Sequence, residues 1–166
     1  IVSLVSLLVA SIFSVGYHHF DEHFQILEFA NYKLGNISAE ELPWEFHYQM
    51  RPAIQPTMVV MLERFLGMFG ATNPFWTTFI LRLLSAGLTF FSIRTLYKVL
   101  KDRLTDDVLK TWLFVGSFTL WFLIYNGVRF SSENWSGNLF ILGFSFCLLE
   151  NKQSFKHYLL AGLSLI

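Results

Sequence analysis

Three histidines and two adjacent carboxylates stand together in Tyr17-His18-His19-Phe20-Asp21-Glu22-His23-Phe24-Gln25, directly behind an apolar run, Ile1–Gly16. Charge beside hydrocarbon is costly unless it has a partner or a task. One carboxylate at a membrane surface can take the proton from an attacking hydroxyl, which is general-base chemistry. The pair also suits the first turn of any helix, where the dipole favours negative charge. His19 and His23 stand at i, i+4, the spacing of two metal ligands on one helix face. No third ligand and no His-Glu-x-x-His pattern accompanies them, so no metal site is assigned. The histidines fit better as hydrogen-bonding partners of loop carbonyls or of a ligand phosphate.

Two arginines are further candidates. Arg51 is a lone cation in an acidic, aromatic loop, and Pro52 and Pro56 stiffen the chain around it. It can pair with a loop carboxylate or hold a phosphate. Arg129 and Glu133 stand at i, i+4. They can pair along a helix, or the arginine can contact an anionic headgroup. Asn36-Ile37-Ser38 and Asn134-Trp135-Ser136 fit the glycosylation acceptor pattern, but such triplets are frequent by chance and no role is assigned to them.

The elements that must position these residues are those of a membrane protein. The chain has 166 residues, of which 54% are hydrophobic and 18% aromatic, with Phe 19 the largest aromatic share. Soluble domains of this length rarely read so. Formal net charge is zero, which leaves no footprint for nucleic acid. Cys147 is the single cysteine, so there is no disulfide framework and no cysteine metal site.

In order, 1–16 reads as a transmembrane helix and 17–74 as an extracytosolic loop. Phe20–Leu34 has helical spacing, with Phe20, Phe24 and Leu27 on one stripe and Asp21, Gln25 and Glu28 on another. It predicts a short amphipathic helix at the membrane surface, its polar stripe facing water or a substrate groove, stopped by Gly35-Asn36. Ser38-Ala39-Glu40-Glu41 matches a capping box. Thr57–Gly70, interrupted by Glu63-Arg64, predicts a second surface or re-entrant helix. Pro74 is placed to start the next one. Transmembrane helices are expected over 75–96, 111–128, 131–149 and 157–166, with polar loops at 97–110 and 150–156. The first of these, about 22 residues or roughly 33 Å, is long enough to cross. It carries Arg82 at depth, where a cation must face protein, a carboxylate or a lipid phosphate. Both ends of the sequence fall in apolar segments, so the expectation is a single membrane domain that is a fragment of a longer membrane protein.

Basic residues near span ends set the orientation. Lys98, Lys101, Arg103, Lys110, Lys152 and Lys156 put the loops at 97–110 and 150–156 in the cytosol, whereas 17–56 holds only Lys33 and Arg51. Asp21, Glu22, Arg51, Arg129 and Glu133 then share the opposite face.

His19-Phe20-Asp21-Glu22-His23-Phe24-Gln25 resembles the His-Pro-Asp-Glu-x-x-Gln signature of the Alg9-like mannosyltransferase family, glycosyltransferase family 22 of GT-C fold. Trp44-Glu45-Phe46 with Arg51 and Pro56 resembles a second block of that family, and Val128-Arg129-Phe130-Ser131-Ser132-Glu133 a third, more loosely. Phe20 stands where the signature has proline, and the Arg129–Glu133 spacing is shorter than the family's. The resemblance covers nearly the whole chain. It implies an all-α polytopic transmembrane fold of GT-C type, with amphipathic juxtamembrane helices in a first lumenal or periplasmic loop that forms the active site. It also implies Asp21 as catalytic base with Glu22 as its helper. His19, Gln25, Arg51, Arg129 and Glu133 are the candidate substrate-binding residues. The donor would be a polyprenyl-phosphate or dolichyl-phosphate sugar, with mannose expected, and the acceptor a glycolipid or lipid-linked glycan, as in N-glycan or GPI-anchor biosynthesis. No cofactor and no metal is expected, and no partner beyond these substrates and membrane lipid. The site would lie in the endoplasmic reticulum of a eukaryote or on the periplasmic face of a bacterial inner membrane. The rival reading is a non-enzymatic polytopic protein, a lipid-glycan transporter or structural subunit. Arg82 is the residue that suits it best, because a transporter needs charge along a midplane path.

Overall fold

A computed structural model describes residues 2–16, 22–50, 52–71, 73–148, 159 and 161–163. Every regular element among them is helical. The helices are α1 (Val2–Phe13), α2 (Glu28–Leu34), α3 (Trp44–His47), α4 (Ile54–Met68), α5 (Pro74–Lys101), α6 (Asp107–Phe118), α7 (Trp121–Gly127) and α8 (Ser132–Cys147). A π-turn over Glu22–Leu27 leads into α2, and a single 3₁₀ turn covers Ala39–Glu41.

Local chemistry sets many of the boundaries. Asn73 caps α5, its Oδ1 accepting from Phe75 N at 3.0 Å, and Pro74 takes the first helical position, where no N–H is required. Asp106 caps α6 in the same way, accepting from Val108 N at 2.9 Å. Glu41 Oε1 accepts from Ser38 N and Ser38 Oγ, at 3.2 and 3.0 Å, so the capping box is present but carries only one 3₁₀ turn. Helix α2 stops at Gly35, in the left-handed region, with Asn36 N donating to Asn31 O at 3.0 Å, as Gly35-Asn36 predicts.

Helix α5 is the axis of the fold and packs against α1, α4, α6, α7 and α8. Its 28 residues reach beyond the expected 75–96, so the 97–110 loop shrinks to 102–106. The added turn is held by packing: the Tyr97 ring lies edge-on to Phe114 and Phe118 of α6, at 5.9 and 5.2 Å, and Lys101 Nζ sits 5.9 Å over that ring. Among the described residues, two stretches are long and apolar enough to cross a membrane, Pro74–Lys101 and Asp107–Gly127. The second is not the continuous helix expected over 111–128. It breaks between α6 and α7 at Thr119-Leu120, and Thr119 Oγ1 closes α6 by donating to Val115 O at 2.7 Å. Helix α8 occupies the expected 131–149 but is shorter, at 16 residues. Most of 150–166, including the loop at 150–156 and most of the expected helix 157–166, lies outside the described residues.

The buried stripe of α5 is Thr77, Leu81, Ser85, Ala86, Thr89 and Ser92, mostly small and hydroxylated. Small residues let backbones approach, and hydroxyls bond across helices where lipid supplies no hydrophobic drive. Trp135 Nε1 of α8 donates to Ser85 Oγ at 2.9 Å, and Ser92 Oγ donates to Asn138 O at 3.1 Å. Thr89 Oγ1 donates to Gly127 O at 2.9 Å, and a Cβ added at Gly127 would lie 2.7 Å from Thr89 Cγ2. Gly127→Ala should therefore destabilise by about 1–3 kcal/mol, the usual cost of overpacking. Thr89→Ser removes the offending methyl and keeps the hydroxyl. It should restore most of the loss in the double variant, read as thermal unfolding in detergent. Equal melting temperatures for wild type and Gly127→Ala would contradict this packing.

The segment between α1 and α5 docks through one apolar cluster. Ile26 and Ala30 meet Val59 and Val60 of α4, Leu81 of α5 and Phe130. Lys33 Nζ donates to Thr57 Oγ1 at 2.8 Å and Ser132 Oγ donates to Gln55 Oε1 at 2.7 Å, tying α4 to α2 and to α8. The Phe46 ring lies edge-on to Phe29 and Tyr32, at 5.4 and 5.0 Å, which seats α3 on α2.

Candidate active site

Glu22 and His23 sit on the wall of a cavity of 740 Å³ where the ends of three segments meet. Ser14 and Gly16, behind the last turn of α1, form one side. Phe75, Phe79 and Arg82 from the first two turns of α5 form another, with Leu27 and Phe130 closing it. Most of this lining is apolar, and among the described residues its charged or titratable side chains are Glu22, His23 and Arg82. A space of this size and character suits an amphiphile better than a free sugar.

The π-turn decides which residues face that space. Its i→i+5 bonding adds a residue to the turn, so positions five apart become neighbours. His23 Nε2 and Glu28 Oε1 accordingly lie 3.0 Å apart, and the imidazole stands edge-on to Phe24 at 5.1 Å. The same widening shifts the stripes expected from a 3.6-residue period. Phe24, expected on the apolar stripe with Phe20 and Leu27, is 47% exposed. Gln25, expected on the polar stripe, is 7% exposed alongside buried Ile26, Phe29 and Ala30, and it does not line the cavity. Gln25 thus belongs to the packed side of the turn.

Arg82 is the cavity's cation. Its guanidinium donates from one nitrogen to Ser14 O and from the other to Gly16 O, the latter at 3.0 Å. Glu22 and Arg129 both lie within electrostatic range of it. Of the three partners open to this deep arginine, the structure supplies two: protein, as the backbone carbonyls of Ser14 and Gly16, and a carboxylate, Glu22, within electrostatic range. Arg129 is 4% exposed; one terminal nitrogen donates to Gly16 O at 2.9 Å and the guanidinium carbon lies 4.7 Å over the Tyr125 ring. It does not pair with Glu133, which is exposed in the first turn of α8. The i, i+4 spacing fails because Arg129 stands before the helix, which begins at Ser132.

Asp21, His19 and Arg51 lie outside the described residues, as does His18. Among the rest, the structure brings Glu22 near Arg82, which also lies within electrostatic range of Arg129, and leaves Gln25 and Glu133 apart from the cavity. Sequence reasoning missed three partners. Glu28 was legible as polar but not as His23's neighbour, since i+5 pairing has no signal in a 3.6-residue period. The convergence on Ser14 and Gly16 joins positions 66 to 113 residues apart, and no local pattern announces it. Asn134, set aside as a chance glycosylation triplet, is a structural residue: its Nδ2 donates to Arg129 O at 2.7 Å and so anchors the turn that carries that arginine.

No curated relative and no solved structure matches the chain. The sequence model of one family does, and it spans residues 1–166 without remainder. A carboxylate-bearing turn seated on a largely apolar cavity beside the start of a candidate span is consistent with that match, and the chain belongs to the Alg9-like mannosyltransferase family of glycosyltransferases.

Proposed function

We propose that this chain carries the acceptor-activating part of a membrane glycosyltransferase that draws mannose from a polyprenyl-phosphate donor at the extracytosolic face. The observation that carries the reading is the cavity itself. Its largely apolar wall takes in the first turns of α5, a candidate span, and the same wall carries Arg82 and Glu22, next in sequence to Asp21. A lipid-linked substrate needs such a junction, with isoprenoid against apolar side chains and the hydroxyl or phosphate end beside charged groups.

In the reaction an acceptor hydroxyl attacks the anomeric carbon and the bond from that carbon to the phosphate oxygen breaks. Polyprenyl phosphate leaves, and Asp21 takes the hydroxyl proton. One displacement of this kind inverts the anomeric centre. Glu22, within electrostatic range of Arg82, orients the acceptor or the loop. His19 and Arg51 are candidates for the donor phosphate, and the acceptor is a glycolipid or lipid-linked glycan.

Reconstitution into liposomes with defined polyprenyl-phosphate sugars and a glycolipid acceptor tests the proposal. Transfer is expected from the mannose donor and not from a nucleotide sugar. Transfer from a nucleotide sugar, or none from any lipid-phosphate sugar, would overturn it.

A further inference from the structure

We propose that Arg82 and Arg129 act together as positioning residues, a double guanidinium clamp on the carbonyls of Ser14 and Gly16 that fixes where the chain leaves α1 and hence where Glu22 meets the cavity. The inference rests on the function proposed above.

The last carbonyls of a helix have no partner within it. In α1 the final turn is closed by Ser14 N donating to Ala10 O at 2.9 Å, after which the carbonyls of Ser14 and Gly16 point onward. Beside hydrocarbon, an unsatisfied carbonyl costs far more than in water. The chain answers with side chains from distant segments. Arg82 bridges both carbonyls, and Arg129 gives Gly16 O a second donor. Gly16 has φ +68°, a left-handed conformation that glycine reaches without strain. Cationic groups at a helix C-terminus also complement its dipole.

Several features set this apart from ordinary capping. Two like charges are brought onto one carbonyl, which costs energy unless the position matters. Arg129 is held under Tyr125, and its Nε is buried with no hydrogen-bond partner among the described residues. A phosphate-binding arginine would present that edge to a ligand. Ser14, Gly16, Arg82 and Glu22 all line the same cavity, so the clamp is part of the wall that Glu22 completes. The bridge also needs a planar fork. A lysine ammonium carries three donors on one nitrogen at the end of a flexible stem, so it holds two carbonyls two residues apart without the fixed spacing of the guanidinium fork.

The test uses the full-length protein with Arg82→Lys, Arg129→Lys and the double variant, each keeping its charge. Transfer from a defined polyprenyl-phosphate sugar gives kcat and both KM values, and hydrogen exchange follows the amides of 22–27. The clamp predicts that kcat falls tenfold or more in Arg82→Lys while donor and acceptor KM stay within threefold. Exchange over 22–27 should quicken, and the double variant should lose less than the product of the single losses, since both arginines share Gly16 O. A tenfold rise in donor KM with kcat retained would show that the arginines bind phosphate, and would overturn the clamp. Unchanged exchange over 22–27 would overturn it too, and that arm needs no turnover, so it stands even if the wild-type protein transfers no lipid-phosphate sugar and the function above fails. Where Arg82→Lys does not accumulate, Gly16→Ala reaches the same carbonyl. Among the described residues no atom beyond its chain neighbours lies within 4 Å of the added Cβ, so backbone strain is what the substitution adds, and the same fall in kcat with near-constant KM is expected.

Discussion

Asp21→Asn is expected to lower transfer by about 10²- to 10⁴-fold, the usual contribution of a positioned general base. The amide keeps the size and hydrogen-bonding reach of the carboxylate but cannot take a proton at neutral pH. Loss of the base should therefore appear almost wholly in kcat, with substrate binding little changed. Glu22→Gln is the informative companion. Glu22 lines the cavity near Arg82, so removing its charge alters the field there without removing the base. A smaller fall is expected, with a change in acceptor KM. Assays in membrane fractions, normalised to the amount of enzyme present, separate the two. Near-normal transfer by Asp21→Asn at normal expression would sink the assignment. A larger loss in Glu22→Gln than in Asp21→Asn would move the base to Glu22.

What could be read from the sequence divides by distance along the chain. Helix ends set by their own neighbours were legible: Pro74 with the Asn73 cap, the Gly35-Asn36 stop and the Ser38–Glu41 box all stand where their residue types put them. So was the apolar character of α5 and of the stretch from α6 to α7, because span length is a property of composition. Phase was not legible. The π-turn moved Gln25 to the packed side and Phe24 outward, and nothing in a 3.6-residue period marks such a turn in advance. Arg82 was legible as a problem, a deep charge that must face something, but not as a solution. Its partners are main-chain oxygens, which every residue carries and no sequence motif distinguishes. Arg129 misled for the complementary reason. A visible partner stood four residues away, and the helix that would have joined them starts too late.

The largest expected effect on stability lies at Asn138, which fastens α8 to α5. Its Nδ2 donates to Thr89 Oγ1 at 3.0 Å and to both Asn134 O and Asn134 Oδ1 at 2.8 Å, and it is buried. Thr89 passes the connection to Gly127 O, and Asn134 passes it to Arg129 O. One amide therefore couples the long axis helix to the turn that holds Arg129. Individual polar bonds between membrane helices average well under about 1 kcal/mol, because the separated helices find other partners. Removing a shared donor is different, since several acceptors are left at once and each buried one costs about 1–3 kcal/mol. Asn138→Ala should cost about 2–4 kcal/mol by that reasoning. Asn138→Asp should cost at least as much despite its shape, because it replaces the donor with an acceptor facing three acceptors and adds a buried charge. Thermal unfolding of the detergent-solubilised variants gives the order directly. If Asn138→Asp unfolds above the temperature of Asn138→Ala, the amide is not acting as the shared donor and the seam is held by Trp135–Ser85 and Ser92 alone. If the order holds, hydrogen exchange at 129–131 should quicken in both variants, since the anchor of the Arg129 turn runs through Asn134 to the amide that was removed.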